Sequence, residues 1–84
     1  RHVTVDGRAV ELTPTEYRLL ETLARRLGRT VPTEQLLTEV WGPEYAGEAE
    51  QVKHYIWTLR KKIEADPGDP RHILTERGFG YRFE

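Results

Sequence analysis

The sequence predicts an α+β domain in which three helices are framed by a β-hairpin at each end. Three observations carry this. An Asp-Gly turn separates alternating apolar residues at the start, three stretches show helical spacing with their own start or stop signals, and a glycine-punctuated hairpin pattern follows a proline-rich break. The chain has 84 residues and no cysteine, so it reads as a single domain, 1–84, with neither a disulfide framework nor a thiolate metal site. A chain of this length buries only about 60–65% of its unfolded surface. Its 37% apolar content, with two tryptophans, four tyrosines and two phenylalanines, is enough for a small core. No apolar run approaches the roughly 20 residues that span a bilayer. No signal or lipidation pattern is present, so the expectation is a cytoplasmic protein without a membrane partner. Arg1 is not a natural start, and the chain reads as a piece of a longer protein.

The opening strands are Val3-Thr4-Val5 and Arg8-Ala9-Val10-Glu11-Leu12, joined by Asp6-Gly7, which supplies the positive φ angles of a tight turn. Thr13-Pro14-Thr15-Glu16 starts the first helix: threonine as N-cap, proline at the first helical position, and glutamate completing a capping box. Tyr17, Leu20, Leu23, Ala24 and Leu27 form its expected apolar stripe, with Arg25 and Arg26 in the last turn and Gly28 as the stop. Thr30-Val31 is long enough only for a bridging strand. A second helix over 33–40 turns Leu36, Leu37 and Val40 inward and ends at Trp41-Gly42-Pro43. After a loop over 42–47, the third helix runs over about 48–64 and breaks at Asp66-Pro67-Gly68-Asp69-Pro70. The closing hairpin pairs 72–75 with 79–83 around Glu76-Arg77-Gly78. Two short helices under a longer one, then a hairpin, define a winged helix-turn-helix, with a longer loop before the third helix than that motif usually has.

Charge, taken globally, argues against nucleic acid: the net is −1, from 13 basic and 14 acidic side chains. Its distribution argues otherwise. Residues 1–50 carry 6 Lys/Arg and 9 Asp/Glu, a balance of −3, while residues 51–84 carry 7 and 5, a balance of +2. Binding follows the local field of the contacting face rather than the sum. On the third helix, Val52, Ile56, Leu59 and Ile63 fall within an arc of about 60° and form the core side. Opposite stand Glu50, His54, Trp57, Thr58 and Lys61, with Gln51 and Lys53 at the margins. Amines, an imidazole, an indole and a hydroxyl suit base edges in a major groove. Lys53, Arg60, Lys61 and Lys62 have the reach for phosphates. The bland counterpart is a solvated helix face in which Lys53 pairs with Glu50.

The glycines of Arg77-Gly78-Phe79-Gly80 keep the second hairpin slim, so Arg77 projects from a narrow tip suited to a minor groove. Tyr81 and Phe83 alternate with Arg82 and pack inward. Nothing points to catalysis. The histidines His2, His54 and His72 lie on different elements, and no histidine–carboxylate spacing resembles a metal site. No catalytic residue, metal, cofactor or small-molecule substrate is expected.

These residues carry a resemblance. Leu12-Thr13-Pro14-Thr15-Glu16-Tyr17-Arg18-Leu19-Leu20, Glu34-Gln35-Leu36-Leu37 with Val40-Trp41-Gly42, Leu59-Arg60-Lys61-Lys62-Ile63-Glu64, and Thr75-Glu76-Arg77-Gly78-Phe79-Gly80-Tyr81-Arg82-Phe83 together resemble the winged-helix effector domain of OmpR/PhoB-class two-component response regulators. The resemblance implies sequence-specific binding of double-stranded DNA and transcription regulation, downstream of a phosphorylated N-terminal receiver domain absent from this chain. It implies head-to-tail homodimers on direct-repeat sites. It places the third helix in the major groove, where the outward and marginal residues read from the helical period, Glu50, Gln51, Lys53, His54, Trp57 and Thr58, are the expected base-reading set. Trp41, Tyr55, Arg60, Lys61 and Thr75 become the phosphate-contacting set, and Arg77 the minor-groove arginine of the wing. The loop carrying Pro43, Glu44, Tyr45 and Glu48 matches a segment that touches RNA polymerase.

Departures from the family pattern fall on the outward side of the third helix. Lys53 stands where many members have an acid, and Trp57-Thr58 where they have two arginines, as a changed target sequence would require. Only two strands of the family's four-stranded N-terminal sheet fit before Leu12. The alternative is a protein-interaction module on the same fold, docking through Trp57 and the acidic first half; steep salt dependence separates DNA binding from it.

Overall fold

The structure, a computed structural model, describes residues 3–84, so His2 lies outside the described residues. Strands β1 (Val3–Val5) and β2 (Arg8–Val10) pair antiparallel with Val3 opposite Val10 and Val5 opposite Arg8. The two loop residues, Asp6 and Gly7, both have positive φ, 51° and 77°, as the Asp-Gly signal requires. This two-stranded sheet leads into α1 (Pro14–Ala24) through the expected capping box: Thr13 Oγ1 accepts from the Glu16 amide at 3.2 Å, and Glu16 Oε1 accepts from the Thr13 amide at 2.9 Å.

The inward face and the end of α1 differ from expectation. Glu16, Leu19, Thr22 and Leu23 are buried, while Ala24 is exposed and Leu27 is 61% exposed. The buried face is thus rotated by about a quarter turn from the predicted stripe. The cause is Glu16, whose carboxylate is turned inward and joined by Lys62 Nζ at 2.6 Å. The helix stops at Ala24, before Arg25 and Arg26, and the chain turns so that the Gly28 amide donates to Phe83 O at 2.8 Å.

Strand β3 (Thr30–Pro32) is longer than a bridge and pairs antiparallel with β5 (Gly80–Phe83), which pairs in turn with β4 (Ile73–Glu76). The sheet order is β3-β5-β4, leaving β4 on an edge. Gly80 is obligatory here. A Cβ at that position would lie 2.0 Å from the Val31 carbonyl oxygen, so no side chain fits between β5 and β3.

Helix α2 (Thr33–Leu36) continues as a wider π-helical turn over Leu37–Trp41, closed by the Gly42 amide donating to Leu37 O at 3.0 Å. Leu36, Leu37 and Val40 are buried as expected. A short 3-10 turn, Pro43–Tyr45, precedes α3 (Ala49–Ile63). Val52, Ile56, Leu59 and Ile63 of α3 join Leu19, Leu23, Val31 and Ile73 in one core cluster, with Tyr81 and Phe83 packed against it. The core side of α3 is the predicted one, and its other side is left outward.

Candidate nucleic-acid interface

Because the apolar arc of α3 is filled, Glu50, Lys53, His54, Trp57 and Lys61 stand exposed along the opposite side. Trp57 is 45% exposed, a large apolar surface to leave in water on a helix whose core side is already occupied. Among the described residues, Lys53, Lys61 and Arg77 have no ion pair or hydrogen bond to their side chains, so the Lys53–Glu50 pair that would make this a merely solvated face is not formed. Other bases are neutralised: Arg25 by Glu21, Arg26 by Glu39, and Arg82 by both Glu76 and Glu84. The chain balance near zero therefore hides a cationic edge along α3 and the wing tip.

The flanks of α3 depart from the sequence-predicted roles. Lys62 has no reach to spare for phosphate: its ammonium is committed to Glu16 Oε1 and to Glu11 O at 3.1 Å. Burial pushes the Glu16 carboxyl up, but the bonds from Lys62 and the Thr13 amide and the charge of Lys62 lower it, so its pKa lies below the ordinary value. Thr58 is half-buried on this same flank, and its hydroxyl donates to Tyr55 O at 2.9 Å, turned aside from the exposed strip. Gln51 is half-buried at the margin. Tyr55 packs edge-on against Trp41, with ring centroids 5.1 Å apart, and against His54 at 5.5 Å. The three rings form one aromatic ledge from the end of the α2 segment to the outward side of α3.

On the other flank Arg60 and Thr75 are brought together. Arg60 donates from Nε at 3.0 Å and Nη2 at 2.8 Å to Ile73 O, and from Nη2 at 2.8 Å to Thr75 Oγ1. Burial pulls the guanidinium pKa down, while Tyr81 and Glu64 support its charge. Tyr81, half-buried and opposite Thr75 in register, has its phenol pushed up by burial and eased back by Arg60. Glu64, at the end of α3, lacks a sequence signal beyond its i, i+4 spacing from Arg60, yet its carboxylate collects three backbone amides.

The wing turn exposes Arg77 and leaves Phe79 75% exposed beside it. The tip is tight because Gly78 takes φ 82° and the Phe79 amide closes onto Glu76 O at 2.9 Å. In the loop before α3, Pro43, Glu44 and Glu48 are exposed and Tyr45 is half-buried against the core. Among the described residues there is no group of histidine, cysteine or carboxylate side chains that could hold a metal.

A three-helix body with an outward cationic helix face and an arginine-tipped hairpin is the architecture of a winged-helix DNA-binding domain. Residues 7–83 match the sequence profile of the family described as transcriptional regulatory protein, C terminal, and the chain belongs to that family. Over its full 84 residues it is 52% identical to the transcriptional regulatory protein KdpE of Mycobacterium tuberculosis, of which it spans 37%. The response regulator DrrB, a Thermotoga maritima OmpR/PhoB homolog, superposes with a TM-score of 0.88 at 36% identity, over 98% of this chain and 37% of that one. The Klebsiella pneumoniae RstA DNA-binding domain in complex with the RstA box superposes with a TM-score of 0.89 at 32% identity, over 99% and 82% of the two chains. The fold is that of an OmpR/PhoB-class effector domain, and the family is one of transcriptional regulators rather than enzymes.

Proposed function

We propose that this chain is the DNA-binding output domain of a two-component response regulator, with α3 in the major groove and the wing at the adjacent minor groove. The observation that carries the proposal is the outward side of α3, where Lys53 and Lys61 are unpaired and His54 and Trp57 are exposed, beside an equally unpaired Arg77. In this arrangement Glu50, Lys53, His54 and Trp57 face base edges, with Gln51 and Thr58 at the margin. Lys61, Arg60, Thr75 and the Trp41–Tyr55 ledge lie along the phosphates, and Arg77 enters the minor groove. The likeness to the DNA-bound RstA domain supports the same docking.

The chain spans 37% of the length of KdpE. In this reading the parent protein carries a receiver domain. Phosphorylation of that receiver favours head-to-tail dimers on DNA, while Pro43, Glu44, Tyr45 and Glu48 meet RNA polymerase. In this reading the regulator works in the cytoplasm, where its DNA target lies.

The test is the salt dependence of duplex binding. Log affinity against log salt is expected to fall with a slope of about −0.9 for each phosphate neutralised. Lys61→Ala is expected to lessen the slope by about 1 on every sequence. Absence of binding to any duplex pool at low salt would sink the proposal. Binding that ignores salt would favour an apolar docking surface built on Trp57 instead.

A further inference from the structure

We propose that Arg60 is a positioning residue which, with Glu64, fixes the wing to the recognition helix, so that the two grooves are read at one set separation. Strand β4 is an edge, and the outward-facing backbone groups of an edge strand need partners. At Ile73 the partners come from α3 and from Glu64, the residue that caps its C-terminus. The Ile73 amide donates to Glu64 Oε2 at 2.8 Å, and its carbonyl accepts from Arg60 Nε at 3.0 Å and Nη2 at 2.8 Å. Glu64 also takes the Arg71 and His72 amides, each at 2.9 Å, and Arg60 reaches on to Thr75 Oγ1. Ile73 itself is fully buried, and Arg77 begins the turn directly after β4.

The root of the wing is therefore held from both sides by side chains one helical turn apart. Two of the three guanidinium nitrogens of Arg60 are spent on this hold, which leaves Nη1 for a phosphate. Lysine at this position would keep the charge but lose the planar fork that bonds two acceptors at once.

This rests on the DNA-binding reading above. The experiment is a double-mutant cycle on a duplex selected by the wild-type chain, using Arg60→Lys, Arg77→Ala and the pair, with folding checked by circular dichroism. Arg77→Ala is expected to weaken wild-type binding about tenfold. In the Arg60→Lys background, itself weakened, the same change should cost about twofold or less, because a loose wing no longer delivers Arg77. Equal penalties in both backgrounds, or wild-type affinity in Arg60→Lys, would overturn the inference and leave Arg60 a plain phosphate contact. A wild-type chain that binds no duplex overturns the functional reading, and this inference with it. Should Arg60→Lys fail to fold, backbone relaxation of the unsubstituted chain decides: order parameters for residues 73–76 near about 0.85 support the clamp, and values under about 0.6 overturn it.

Discussion

Replacing Glu64 removes the anchor of the whole C-terminal hairpin. The residue is only 5% exposed, and its carboxylate accepts from the Arg71, His72 and Ile73 amides at 2.9, 2.9 and 2.8 Å. In Glu64→Ala the Ile73 amide, at a buried residue, is left without a partner, which costs about 1–3 kcal/mol. The Arg71 and His72 amides belong to exposed residues and turn to water, so each loses only roughly 0.5 kcal/mol. The sum is about 2–4 kcal/mol, and at about 4–8 °C per kcal/mol the melting temperature should drop by roughly 8–32 °C. Glu64→Gln keeps the shape and one acceptor and should fall between the two. Its deficit carries a pH signature. Burial raises the Glu64 carboxyl, but the three amide bonds and His72 outweigh burial, so the folded pKa lies below the ordinary 4.5. A depressed folded pKa contributes stability that is complete above the unfolded value and lost as pH falls through the folded one. The gap between wild type and Glu64→Gln is therefore full at neutral pH, shrinks below about pH 4.5 and then closes. Glu16 titrates in the same window but is common to both proteins, so it cancels in the difference. Thermal melts followed by circular dichroism across pH measure this. An alanine variant melting within about 3 °C of wild type, or a gap that persists unchanged in acid, would refute the anchor.

Further substitutions test the body of the domain. Gly80→Ala drives a Cβ to 2.0 Å from Val31 O and should cost about 3 kcal/mol or more, seen as loss of the folded baseline in urea melts. Thr13→Ala breaks the capping box and should cost about 0.5–2 kcal/mol, with Thr13→Ser recovering most of it. Lys62→Met leaves the buried Glu16 carboxylate without its ammonium and should cost about 1–3 kcal/mol at neutral pH, a deficit that fades in acid as Glu16 protonates.

Much of the fold was legible because its signals are local. The Asp6-Gly7 turn, the Thr13–Glu16 box, the stop at Gly42 and the core arc of α3 each depend on residues within a few positions of one another. What escaped depends on distant partners. An acid at position 16 reads as surface until Lys62, 46 residues away, is seen to meet it, and that meeting rotates α1 inward by its Glu16–Leu19–Leu23 side. The early end of α1 is set by β5, through the Gly28–Phe83 bond, and no capping rule reports it. The outward side of α3 followed from its helical period, but its flanks did not. Thr58 was expected with the base-reading residues, and its hydroxyl bonds back to Tyr55 O instead. Arg60 was expected at phosphates, and most of its guanidinium is taken up by β4, whose nearness no periodicity encodes.

The most direct measurement is selection from a random duplex pool by this chain and by its His54→Ala variant. Wild type should enrich a half-site of about 6–8 base pairs, the span of one helix and one wing, and the variant should prefer different bases within it. Enrichment of no sequence, or of the same one by both proteins, would contradict the claim that the solvent-facing strip of α3 meets nucleotides.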